Sequence, residues 1–144
     1  HSKNICLNSA EKELFEKLIL PKSKENKKIV IIAYALYGRM DPIKIISHEV
    51  MHAQYFTSLI YKSIVDSFWQ TEVSKEDKLK IKKILGRYYD SSNELLVKNE
   101  FQAYILMSGA ESGLLSAFLD EYRKPLTEAL IKAHAPPIQL ESSL

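Results

Sequence analysis

KIVIIAYALYG, residues 28–38, is the stretch on which the fold turns. It is continuous, β-branched and aromatic, follows a lysine-rich loop and stops at Gly38, the pattern of a buried β-strand. A strand needs a partner for its backbone donors and acceptors, and NICL (4–7) is one candidate. The fold expected from this reading is α+β: a small sheet with its principal strand near residues 29–36, covered by helices. The alternative is an almost all-helical chain in which residues 29–36 are an isolated extended segment.

Outward from that stretch the sequence reads as helices. NSAEKELFEKLIL (8–20) carries a capping Asn8 or Ser9, acids in its first turn and an apolar stripe, with Pro21 as its stop. On the other side, Asp41 is an N-cap and Pro42 occupies the first helical position of a helix extending to about residue 66. Ser74 with Asp77 opens a lysine-rich helix that ends near Gly86, and Ser91 with Glu94 opens another over about 92–107, ended by Ser108–Gly109. Residues 112–120 and 125–134 predict further helices, the second starting at Pro125. Residues 135–144 are an aperiodic, proline-containing tail. No repeat or linker divides the chain, so one domain over 1–144 is expected.

Composition narrows the function classes. Twenty basic against 18 acidic side chains give a net charge of +2 in 144 residues. The basic residues are nearly all Lys, so the Arg geometry that reads bases is scarce and no nucleic-acid partner is expected. The lysine-rich faces are solvated, or else contact an acidic protein partner. The one Cys excludes both an intramolecular disulfide and a cysteine-built metal site. No apolar run reaches 18 residues, so no membrane span is expected. The chain begins at His1 rather than Met; if a signal peptide preceded it, a secreted or periplasmic location follows.

The chemistry lies in ISHEVMHAQ (46–54). Residues four apart share a helix face, so His48 and His52 can present two imidazoles to one metal ion. Glu49 lies about 100° around from His48, placed to serve a metal-bound water as general base rather than to become a ligand. A catalytic zinc ion needs a third protein ligand and keeps one position for water. His134 or an acid can supply that ligand. Glu100 is the better candidate, because it lies 48 residues after His52 on a helix whose Leu95, Leu96, Ala103 and Met107 mark a buried side. Tyr104, one turn beyond Glu100 on the same face, is a candidate donor to a developing oxyanion, as are Tyr34, Tyr55, Tyr88, Tyr89 and His134.

HEVMH followed by a helical Asn99–Glu100 resembles the thermolysin-like zinc metalloproteases, whose third ligand is Glu. The resemblance implies Zn2+ held by His48, His52 and Glu100, with Glu49 as the base. It also implies a minimal zincin-like domain in which the strand near 29–36 is a sheet edge that aligns an extended peptide. Where the family has Asp four residues after its ligand Glu, this chain has Tyr104. The expected activity is hydrolysis of peptide bonds in a peptide or protein substrate. Two other readings are a non-catalytic interaction module and a zinc hydrolase of another amide, such as a cell-wall peptide.

Overall fold

The computed structural model describes residues 9–23, 30–32 and 41–140, which fall into two compact units divided between Ile31 and Ile32. In the first unit, α1 (Ser9–Leu14) runs through a π-helical turn (Phe15–Ile19) into α2 (Leu20–Ser23). The helical segment therefore continues through Pro21 instead of ending there. A Lys17–Glu13 pair at 2.6 Å links successive turns across its exposed face.

The described residues of the second unit form five helices, α3 (Pro42–Thr57), α4 (Leu59–Thr71), α5 (Lys75–Leu85), α6 (Glu94–Leu106) and α7 (Leu119–Lys132), with two short 3-10 turns between α6 and α7. No strand and no sheet occurs among the described residues, so the α+β expectation is overturned. Val30, Ile31 and Ile32 belong to no strand, and the first two are exposed; the rest of the expected strand and its candidate partner NICL lie outside the described residues. The physical reason is that β-propensity is local whereas a ladder is not. A β-branched run makes a strand only where a second segment satisfies its N–H and C=O groups.

The helix ends show which signals acted. Asp41 accepts the Ile43 N–H at 2.9 Å and Pro42 sits at the helix start, so α3 begins as expected. It does not continue to residue 66. Ser58 takes an extended conformation, and its hydroxyl accepts the Tyr61 N–H at 3.2 Å, closing α3 and capping α4. Ser74 caps α5 through the Asp77 N–H at 3.0 Å. At α6 the cap is Asn93 rather than Ser91, accepting the Leu96 N–H at 3.1 Å. Glu94 instead accepts from the Trp69 indole at 2.6 Å and from Lys82 at 2.5 Å, tying α4 and α5 to the start of α6. Pro125 lies inside α7, not at its start. Tyr122, Leu126 and Leu130, at i, i+4 and i+8, are buried and hold that helix to the core across the missing N–H.

The core positions the site. Ser47, Met51 and Tyr55, one face of α3, are fully buried where α3 packs against α6. Trp69, Phe101 and Tyr122 stack edge to face, joining α4, α6 and α7. Each such side chain contributes about 1.5–3 kcal/mol on burial. Polar links cross the α3–α4–α6 seam as well: the Tyr61 hydroxyl donates to Gln102 Oε1 at 2.7 Å, and the Ser108 N–H donates to Ser47 Oγ at 2.7 Å. A buried polar group that is fully paired fixes register as well as contributing energy. The tail, described to residue 140, is held on the outer side of this seam. Gln54 donates to Pro136 O at 3.0 Å and accepts the Ile138 N–H at 2.8 Å, while Gln139 donates to Leu106 O at 3.2 Å.

Candidate metal centre

His48 and His52 project from one face of α3 toward Glu100 on α6, and one ligand atom from each lies within 4.8 Å of the others. The two Nε2 atoms are 3.0 Å apart. Glu100 Oε2 lies 3.4 Å from His48 Nε2, and Oε1 lies 3.5 Å from His52 Nε2. Metal–ligand bonds of about 2.0–2.1 Å in a tetrahedron put neighbouring ligand atoms roughly 3.3 Å apart. The observed separations bracket that value, so the three side chains fit one divalent cation such as Zn2+. The set is also deeply placed, with side-chain exposures of 13%, 16% and 7% for His48, His52 and Glu100.

Burial supports the same fit. Glu100 Oε2 has no hydrogen-bond partner, although a buried carboxylate without one is costly. Both Nδ1 atoms are likewise buried without a partner. A ligating imidazole usually donates its second N–H to a carboxylate or carbonyl, and such support is worth 10–100-fold in metal affinity. The centre therefore has its ligands but not that outer support. Tyr104 does not supply it: its ring packs on the His48 ring, centroids 4.4 Å apart, and its hydroxyl meets that of Tyr89 at 3.0 Å. Burial raises the pKa of both phenols, so they remain protonated donors at neutral pH. In Tyr89 the hydrogen bond with Tyr104 and the Glu100 charge add to the rise.

An open cleft of about 380 Å³ runs beside this cluster. His48, Glu49, Tyr89 and Tyr104 line it near the ligands, with Ile45, Met107 and Leu114 as its apolar wall. Glu49 is outside the ligand cluster but faces the same space as His48. The other candidates go elsewhere. Tyr55 donates to Asp66 at 2.6 Å, Tyr88 is exposed, and Tyr34 lies outside the described residues. His134 adopts a left-handed backbone (φ 55°) just past the end of α7, where Ala135 N–H closes on Leu130 O at 2.9 Å. No residue of the described tail lines the cleft. Among the cleft residues that escaped the sequence reading are Lys44 and Ser112. The signal for Lys44 was present, since it stands one turn before His48 on the same face. Ser112 carried none.

Fold and site together define a helical unit with a two-histidine, one-carboxylate candidate metal centre. No family model, no curated protein and no solved structure matches the chain. The expected membership of the thermolysin-like, Glu-type zincins is overturned: the sheet in front of the active helix, on which that architecture depends, is absent from the described residues. The local resemblance is confined to the ligand pattern, which any pair of packed helices can present. Among the described residues no helix is long and apolar enough to cross a membrane.

Proposed function

We propose that this chain is a zinc-dependent hydrolase of peptide bonds with Glu49 as its general base. The observation that carries the reading is that Glu49 lines one open cleft together with His48, a member of the His48–His52–Glu100 cluster. Two imidazoles, a carboxylate and a cleft-facing side form a donor set suited to zinc with a fourth position for water. When bound, the ion supplies a Lewis acid for the scissile carbonyl and acidifies water. Glu49 takes the proton from the attacking water as its oxygen bonds to the carbonyl carbon. The C–N bond then breaks, and Glu49 returns the proton to the leaving amine. The Tyr104 hydroxyl, in contact with that of Tyr89, belongs to the same cleft, and it is the donor assigned to the oxygen that gains charge.

Glu49→Gln keeps the ligands and removes only the base, so the expected result is full metal occupancy with cleavage of a peptide library reduced by at least a thousandfold. Equal cleavage by wild type and variant removes Glu49 from the role. No cleavage by metal-replete wild type favours a non-catalytic interaction module.

A further inference from the structure

We propose that Lys44, held by Gly109 and Ser112, forms a carboxylate subsite in the cleft, so that the cleft takes peptides by their free C-terminal carboxylate; this rests on the hydrolase reading above. Lys44 lies on α3 one turn before His48 and lines the same cleft. Its ammonium donates to Ser112 Oγ at 2.7 Å. Its stem lies in a trough made by Gly109, which adopts φ +71°. A Cβ at Gly109 would come within 2.6 Å of Lys44 Cε, 3.0 Å of Cγ and 3.1 Å of Cδ. The left-handed glycine thus both turns the chain and leaves the space that the lysine stem fills.

A lysine side chain loses rotamer freedom when it is fixed, and one already held in place loses less on binding an anion. The ammonium has three donors, and the one hydrogen bond it makes among the described residues is with Ser112. No carboxylate among the described residues pairs with it. Glu111, whose charge it influences, is paired with Arg123 at 2.6 Å. Glu49 is the one acidic residue lining the cleft, and it is assigned to the chemistry.

The spacing selects the ligand. One helical turn is about 5.4 Å along the axis, and an extended peptide advances about 3.3 Å per residue. A carboxylate on Lys44 therefore ends a chain one or two residues beyond a scissile bond beside His48. Ile45, Met107 and Leu114 offer an apolar wall for the side chain in between. The substrate class is a peptide with an apolar C-terminal residue and a free carboxylate.

The test measures binding, not turnover. N-acetyl-Leu-Leu-Leu, as the free acid and as the C-terminal amide, is titrated calorimetrically into zinc-loaded full-length Glu49→Gln protein. The acid is expected to bind at least tenfold more tightly. Adding Lys44→Met is expected to bring the acid-to-amide ratio close to one, and Lys44→Arg to restore part of it. Gly109→Ala, which displaces the stem, is expected to lower the ratio as well. Equal affinities for acid and amide, no binding of either peptide, or an acid preference that survives Lys44→Met with the carboxylate then on the metal would each overturn the subsite. A Lys44-dependent preference in a protein whose wild type cleaves nothing would support the subsite while refuting the hydrolase reading.

Discussion

Replacing Glu100 with Gln separates a metal ligand from an ordinary buried acid, because the two roles predict opposite signs in metal-free protein. In that state the carboxylate is 5% exposed and its Oε2 is without a hydrogen bond. An unsatisfied buried polar group costs about 1–3 kcal/mol, more when charged. An amide of the same shape relieves part of that cost, so Glu100→Gln in chelator is expected to be more stable than wild type by about 1 kcal/mol, a rise of roughly 3–4 °C in Tm for a chain of this size. Zinc reverses the order. At free zinc near 100 times the wild-type Kd, binding adds about 2.7 kcal/mol, or roughly 10 °C. A variant that binds a hundredfold more weakly gains only about 0.4 kcal/mol at the same free zinc. Scanning calorimetry in chelator and in buffered zinc should therefore show the two melting curves cross. An equal zinc shift in both proteins would remove Glu100 from the ligand set. A metal-free variant clearly less stable than wild type would show that the carboxylate is satisfied by protein contacts, and that its burial is no argument for a metal.

Two further outcomes are expected. Burial alone would push the Asp66 carboxyl up, but hydrogen bonds from Lys62, Lys98 and Tyr55 outweigh it and hold the pKa down to about 2. A depressed folded pKa stabilises above the unfolded value of about 3.9 and loses that contribution as pH falls through the folded value. Asp66→Asn should thus cost about 1–2 kcal/mol at pH 7 after allowance for partial exposure, and denaturant titrations should show the deficit shrink progressively as pH falls below the unfolded value and toward the folded one; a deficit unchanged at pH 2 would refute the ion network. Gln54→Ala removes both amide contacts to Pro136 and Ile138, worth about 1 kcal/mol each. Limited proteolysis should then release the tail at least tenfold faster while zinc content stays the same, and slow release in the variant would show that the tail is held by other contacts.

Local patterns were legible without a structure. His48, Glu49 and His52 lie within five residues of a helix whose start is set by Asp41 and Pro42, so their shared face follows from helix geometry. Ser74 caps α5 for the same reason: the hydroxyl and the N–H it serves are three residues apart. Glu100 was legible only in part. Its helix face marked it as buried, but its distance to the histidines depends on how α3 packs against α6, through contacts more than 40 residues apart in sequence such as that of Ser47 with the Ser108 N–H just past the end of α6.

The rest required the folded chain. Whether KIVIIAYAL pairs into a sheet depends on a second segment, and no propensity within the run supplies one. Ser58 rather than Asp66 ends α3, because a serine hydroxyl competes for the backbone only where the next helix takes a new direction. Pro125 stays inside α7 because buried side chains on either side of it outweigh one lost hydrogen bond. Lys44, Gly109 and Ser112 meet across some 65 residues, and nothing in any of the three segments names the others. The ligand face of α3 was determined by sequence because helix periodicity is a short-range property. The third ligand, the cleft and the absence of a sheet among the described residues were decided by tertiary structure, because each depends on which distant surfaces bury one another.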